Sequence, residues 1–407
     1  MAQGGPLIVG RDERGAVAWS FALFFCVFAS WYALRPLRDA LGIAGNVREL
    51  PRLFLVTLGA TFAVGPILSA LVSRVARRTA IAVAYRVLAA SLLVFFFVLR
   101  GPAPALGAAR AFFVWASVLN LVEITLAWAL MADVFSREQG VRLFALVGGG
   151  GTLGGIVGSA AAALLARLAG PACMLPVAAL LLEAAVWCVD RIAASAPRAD
   201  EERLDAPCPD GGAVGWLTRT LRDPFFLGIC AYLALFTFSS TVLYLEQGRI
   251  VRASLGGTAA RAELFARMDL AVNCLTLVLQ LFVVGRVIRR IGVGHALAAL
   301  PVLTIGCFLA IRTAPVLGVL VVCQVARRAL DFSLTKPARE VLFTVVRPED
   351  KYKAKSFIDT FVYRSGDALA AASVDQVLGP LLLVGMAALC AAWALLGLAL
   401  GRARPTS

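Results

Sequence analysis

The sequence predicts an all-α polytopic membrane protein of about twelve spans, and three observations predict it. Of its 407 residues, 60% are hydrophobic and only 16% are charged, where an ordinary soluble domain carries about 25% charged residues. The apolar residues fall in runs of about 20, the length a helix needs to cross a hydrocarbon layer of roughly 30 Å. The net charge of +14, from 39 Lys and Arg against 25 Asp and Glu, is distributed unevenly along those runs. So much apolar sequence excludes disorder. A basic nucleic-acid binder does not need it either. The expected partners are a lipid bilayer and a small-molecule anionic substrate, with no nucleic acid.

Twelve segments meet the length requirement, near 16–35, 53–73, 79–99, 111–135, 143–166, 170–189, 224–246, 268–288, 291–311, 315–335, 356–377 and 380–401. The longest polar interval, 190–222, follows span six. It divides the chain into an N-terminal six-helix half (1–189), a cytoplasmic central loop (190–222) and a C-terminal six-helix half (223–407). With the N-terminus in the cytoplasm, the inner segments hold 21 cations and the outer loops 11, leaving seven in or against the spans. The excess on the inner side places both termini in the cytoplasm of a cell (inner or plasma) membrane protein. The first 15 residues are polar and lack the apolar stretch of a signal peptide. Nothing here sets an oligomeric state, and a monomer suffices.

Chemistry that needs histidine has only His295 to build on. The nine cysteines sit almost all in apolar runs without a CxxC spacing, as small buried hydrophobes do. No catalytic residue, metal or cofactor is therefore expected, and the chain reads as a non-enzyme.

An internal repeat supports the division into halves. Ser73-Arg74-Val75-Ala76-Arg77-Arg78 after span two matches Gly285-Arg286-Val287-Ile288-Arg289-Arg290 after span eight. Arg137-Glu138-Gln139 after span four is echoed at nearly the same offset by Arg347-Pro348-Glu349-Asp350 after span ten. Parallel six-helix halves of this kind are the pattern of the major facilitator architecture, in which the substrate site lies at the midplane. The first loop also resembles, in degraded form, that superfamily's Gly-x-x-x-Asp-Arg-x-Gly-Arg-Arg motif.

A charge at the centre of a span costs roughly 2.5–3.5 kcal/mol on insertion scales, so such residues must pair, face water or bind something. Arg35, Arg38 and Asp39 end span one, where Pro36 predicts a broken helix end. Arg86 lies in span three, Glu123 in span four and Glu183 in span six. Arg327 and Asp331 in span ten, and Lys336 and Glu340 beyond them, stand four residues apart, as intrahelical pairs do. Asp359, Tyr363 and Asp367 share a face of span eleven, with Arg364 elsewhere on that helix. Arg86 and Glu123 have no partner on their own helix, and for Arg86 a cavity or substrate is the preferred reading. The run Gly148-Gly149-Gly150-Gly151-Thr152-Leu153-Gly154-Gly155 is not followed by Gly-Lys-Ser/Thr, so it is no phosphate loop. Gly151/Gly155 and Gly154/Gly158 are small-residue pairs through which helices approach closely.

Three stretches carry a more specific likeness. Tyr32-Ala33-Leu34-Arg35-Pro36-Leu37-Arg38-Asp39-Ala40-Leu41 resembles Tyr-x-x-Leu-Arg-x-x-Lys-Asp-x-Leu. The stretch from Trp128 to Asp133, followed by Arg142-Leu143-Phe144-Ala145-Leu146-Val147-Gly148, is similar to Trp-Gly-Phe-Ala-Asn-Asp/Glu and Arg-Phe-Tyr-x-Leu-Phe-Gly. Phe332-Ser333-Leu334-Thr335-Lys336-Pro337-Ala338-Arg339-Glu340 and Lys353-Ala354-Lys355-Ser356-Phe357-Ile358-Asp359 resemble Tyr-Ser-Leu-Phe-Asp-Pro-x-Lys-Glu and Lys-Gly-Lys-Ala-Ala-Ile-Asp. These are motifs of the nucleotide transporter family, the ATP/ADP translocases of plastids and intracellular bacteria. The resemblance covers about 70 residues. It implies a facilitator-like fold and nucleotide exchange. It also places Arg38 at a basic position linked to transport, and Arg339 and Glu340 at the family's Lys-Glu pair. Lys336 stands where the family has an aspartate.

The expected function is secondary active transport of an organic anion by alternating access, with a phosphorylated compound such as a nucleotide as substrate. Arg35, Arg38, Arg86, Arg339, Lys353 and Lys355 are the expected anion contacts. Asp39, Glu123, Glu340, Asp359 and Asp367 are the expected gating or coupling residues. A proton-coupled facilitator of another solute, using Glu123 and Asp367 as carriers, is the alternative within transport. A membrane-embedded enzyme or a non-transporting sensor is the alternative outside it.

Overall fold

The computed structural model describes Gly10 and residues 13–101, 105–195, 223–342, 362–374 and 380–402. Within these, every regular element is helical. A bilayer leaves no water to satisfy backbone N–H and C=O groups, so a spanning segment must bond them within itself. The elements are α1 (Arg14–Gly42), α2 (Leu50–Arg74), α3 (Arg77–Leu99), α4 (Leu106–Val134), α5 (Arg137–Leu168), α6 (Met174–Ser195), α7 (Pro224–Ser254), α8 (Thr258–Leu279), α9 (Gly285–Thr313), α10 (Leu317–Leu330), α11 (Lys336–Leu342), α12 (Tyr363–Val374) and α13 (Pro380–Arg402). Among the described residues, ten helices are long and apolar enough to cross a membrane. They match spans one to nine and span twelve. Span ten is α10 and α11 joined by a π-helical turn at Asp331–Thr335, and α12 holds the described part of span eleven. The expected central loop lies outside the described residues beyond Ser195.

Two sequence expectations about helix ends are corrected. α1 runs unbroken through Pro36 to Gly42. Span helices tolerate a proline where neighbouring groups re-satisfy the freed backbone, and α1 is packed on several sides. The Arg-rich stretch after span eight is helical rather than a loop. A π-helical turn, Gln280–Val284, leads from α8 into α9. The reversal comes later, at Gly292, whose φ of 76° is the left-handed conformation that glycine adopts without a steric cost.

The chain forms two compact units. The first comprises Met1–Ala44, Gly59–Asp210 and Gly257–Leu270, and the second Gly45–Leu58, Gly211–Gly256 and Ala271–Ser407. In the first, α1 packs against α4, α5 and α6, while α3 packs on α4 and α6. In the second, α7 packs against α10, α12 and α13, while α9 packs on α10 and α13. Each partner set is the other shifted by six spans. The side chains α1 buries (Leu23, Phe24, Val27, Leu34 and Leu37 among them) fill the core of the first unit.

The α1–α5 contact is made by backbone. A Cβ added at Gly150, Gly154 or Gly158 would lie 2.2, 2.3 or 2.4 Å from the carbonyl oxygens of Phe21, Phe25 and Ala29 respectively. Both series step by four residues, so a row of glycines on α5 faces a row of carbonyls on α1. This moves the expected small-residue register by one position. Gly154 and Gly158 are in it, but Gly150 rather than Gly151 continues it; a Cβ at Gly151 would meet the Phe28 ring instead. The start of α5 is tied to the start of α1 as well. Ser136 and Gln139 form a reciprocal capping box. Gln139 and Arg142 then donate to Glu13 Oε1 at 2.9 and 2.7 Å. These bonds, led by that of Gln139 and joined by the Gly10 N–H, hold the Glu13 carboxyl below its ordinary value of 4.5.

Gly154→Ala is expected to destabilise the protein by about 1–3 kcal/mol, the usual cost of overpacking. Gly148, with nothing within 4 Å of an added Cβ, is the control. Gly148→Ala should be neutral or stabilising by up to about 1 kcal/mol, from helix propensity alone. Thermal melts of the two purified variants check this.

Candidate functional site

The first unit gathers charges at the C-terminal end of α1. Four-residue spacing brings Arg35 and Asp39 to one face, and the Arg35 Nε lies 3.8 Å from Asp39 Oδ2. The Arg38 Nη1 lies 3.7 Å from Asp39 Oδ1. Arg35 Nη1 also donates to Asp269 Oδ1 at 3.2 Å, across 234 residues of sequence. Asp269, on the first part of α8, is the member that sequence reasoning missed. Arg261 of the same segment donates to the Ile43 carbonyl at the end of α1 at 3.4 Å. The Arg38 guanidinium lies over the Phe113 ring at 4.5 Å and near the Trp31 ring at 5.8 Å, a cation–π setting. Its buried Nε has no hydrogen-bond partner among the described residues. Two arginines and two aspartates make a cluster of zero net charge, with both carboxylates nearly fully buried.

Glu123 is ten residues beyond Phe113 on α4, about 15 Å along the helix. It is fully buried, and neither carboxyl oxygen has a hydrogen-bond partner among the described residues. Its backbone carbonyl accepts a 2.7 Å bond from the hydroxyl of Tyr85 on α3. Arg86, the next residue on α3, points the other way. Its Nε lies 3.5 Å from Glu183 Oε2 on α6, and the two side chains are 59% and 48% exposed. Arg86, expected to face a cavity or substrate, thus has a partner on another helix, and the pair is half exposed.

In the second unit the polar side chains converge on α7. Arg327 Nη1 donates to Ser240 Oγ at 2.9 Å. Gln324 Nε2 donates to the Leu243 carbonyl at 3.3 Å, and Thr241 Oγ1 to Asp367 Oδ1 at 2.6 Å. Arg327, Asp331 and Arg339 are all buried. Arg327 Nε and Asp331 Oδ1 have no hydrogen-bond partner among the described residues. Arg339 donates to the Tyr363 hydroxyl at 2.5 Å, and the Lys336 ammonium lies 4.1 Å from the Phe332 ring centre. Glu340 is half-buried beside Arg339 on α11. The expected shared face of span eleven thus serves two neighbours, Tyr363 reaching α11 and Asp367 reaching α7. Lys353, Lys355 and Asp359 lie outside the described residues. Ser240, Thr241 and Gln324 carry no signal in the sequence, being ordinary polar residues in apolar runs.

Solved structures share this arrangement of helices. A mutant of the nucleoside transporter NupG aligns over 95% of this chain and 99% of its own, with a TM-score of 0.68 and 12% identity. An auto-inhibited peptide transporter of the POT family aligns over 96% and 98%, at 0.67 and 12%. A bacterial homologue of the iron transporter ferroportin, in its inward-facing state, aligns over 97% and 99%, at 0.64 and 12%. The chain has the major-facilitator fold. No family model and no curated protein sequence matches it. At 12% identity the likeness is one of fold.

Arg35→Ala would remove the guanidinium that bonds the buried Asp269 Oδ1. It is expected to cost about 3 kcal/mol, as breaking a buried pair does. Arg35→Ala combined with Asp269→Asn should recover at least half of that loss, and a double-mutant cycle by thermal melting measures it.

Proposed function

We propose that this chain is a secondary active transporter. In this reading it carries an organic anion across the cell membrane by alternating access, with both termini in the cytoplasm and with exchange as its mode. The observation that carries the reading is the alignment of nearly the whole chain with solved transporters, described above as nucleoside, peptide and iron transporters. An anion as cargo is supported by the cations inside spans. Arg38 lies over the Phe113 ring and beside Asp39, with its buried Nε unused. Arg327 hydrogen-bonds a neutral hydroxyl and, with Asp331, keeps a buried donor and a buried acceptor unused. A ligand bearing acceptor oxygens and a hydroxyl or amino donor would fill both. Phosphorylated compounds, nucleotides among them, fit that chemistry. The resemblance of Lys353, Lys355 and Arg339 to the nucleotide transporter motifs points the same way. Asp39, Glu340 and Asp359 are the proposed gating residues. Arg86 is left out of the proposed anion contacts, because Glu183 already pairs with it.

Uptake of labelled nucleotides and other phosphorylated anions into proteoliposomes, with and without internal substrate, tests this. Arg38→Ala and Lys355→Ala should each lower uptake about tenfold, the equivalent of one lost charge-assisted hydrogen bond, at unchanged protein abundance. Wild-type uptake in both variants would sink the assignment. Uptake independent of internal substrate would remove the exchange mode.

Proton coupling is the second reading, and Glu123 is the observation that favours it. No hydrogen-bond donor among the described residues competes for its carboxyl oxygens, so a proton alone can set the charge state of this group. In this reading Glu123→Gln abolishes uptake driven by a pH gradient while leaving substrate exchange intact. Unchanged pH-driven uptake in that variant discards the reading.

A further inference from the structure

The exposed face formed by α3 and α6 carries an ion pair where a lipid-facing surface should have none. α3 is the least buried of the ten apolar spans. Its exposed stripe is Val83, Val87, Val94 and Phe97, and that of α6 includes Leu180 and Trp187. Such a stripe belongs against hydrocarbon or against another apolar surface, not along a water-filled cavity. Arg86 and Glu183 lie in the middle of it, both about half exposed. They are not at the membrane edge. A second α3–α6 pair, Arg78 Nε to Asp190 Oδ1 at 2.8 Å, marks one end of these helices. Arg86 is eight residues further in, about 12 Å along the axis. Their 3.5 Å contact is also the one polar contact that either side chain makes among the described residues. A guanidinium has five N–H donors and a carboxylate about four acceptor sites, so most of this capacity is unused. Hydrocarbon cannot use it.

We propose that this face is covered by a second copy of the chain, in a twofold dimer whose centre is a four-membered network of two Arg86 and two Glu183 side chains. The charges select this occupant. One positive and one negative group side by side at one depth form a patch that is its own complement. Two copies in the same membrane orientation, related by an axis along the membrane normal, bring Arg86 of each opposite Glu183 of the other, as an isologous interface requires. The size agrees. A face of two adjacent helices, roughly 20 Å wide and about 33 Å long, offers about 660 Å², near the roughly 800 Å² per partner of standard interfaces. The proposal does not depend on the transport reading, because its readout is association alone.

The full chain, tagged at its C-terminus with a donor or an acceptor fluorophore, is reconstituted into liposomes at high dilution, and energy transfer between copies is measured. The wild type is expected to associate. Arg86→Glu gives copies acidic at both positions and Glu183→Arg gives copies basic at both. Each alone should associate at least tenfold more weakly, while a mixture of the two should regain transfer. Repair within one chain cannot produce that last result. A wild type that stays single overturns the proposal and leaves the face to lipid or to a different membrane protein. Undiminished self-association of either swap overturns it too, as does a silent mixture of two variants that melt cooperatively. If either swap fails to fold, the neutral double variant Arg86→Gln/Glu183→Gln replaces it. Association of that variant as strong as the wild type's would also overturn the proposal.

Discussion

The closeness of α1 to α5 is the constraint on which the first unit rests. Three glycines of α5 sit where any Cβ would strike a carbonyl oxygen of α1. Helices packed through side chains keep their axes 8–10 Å apart, and small residues are what let backbones come closer. α1 is also the helix that α4 and α6 pack on, so its placement sets theirs. Arg35, Arg38 and Asp39 ride on its last turns. Their positions therefore depend on a contact at Phe21, Phe25 and Ala29, further back along the same helix, that carries no charge at all.

The two units hold their buried cations through different groups. In the first, Arg35 and Arg38 lie against the Asp39 carboxylate, and Arg35 also bonds Asp269. In the second, Arg327 donates to a serine hydroxyl and Arg339 to a tyrosine hydroxyl, with Asp331, also buried, four residues beyond Arg327. The π-helical turn Asp331–Thr335 falls between the two arginines. It shifts the register of everything after it by a fraction of a turn, so Arg339 is not where an uninterrupted helix would carry it.

Hydropathy alone located ten of the spans among the described residues, because a membrane helix needs about 20 apolar residues whatever it packs against. Reading direction was harder. Val83, Val87 and Val94 are as apolar as the core, so periodicity on α3 does not separate inside from outside, and the partner of Arg86 on α6 could not be read from α3 alone. The four consecutive glycines at 148–151 left the α5 register open by one residue, which only the facing carbonyls of α1 resolve. Pro36 reads as a break from local rules, and the surrounding helices override them. Arg35, Arg38 and Asp39 were visible as a group because they are neighbours in sequence. Asp269 was not, because nothing in a single sequence joins residues 234 apart.

That separation has a consequence for how the first unit can be divided. Asp269 belongs to Gly257–Leu270, a stretch of the first unit that follows α7 of the second. A chain cut between α6 and α7 would therefore part Arg35 from the carboxylate that accepts its Nη1 bond. The first unit is one body in space but discontinuous in sequence, and its six-helix stretch alone lacks a group that α1 bonds.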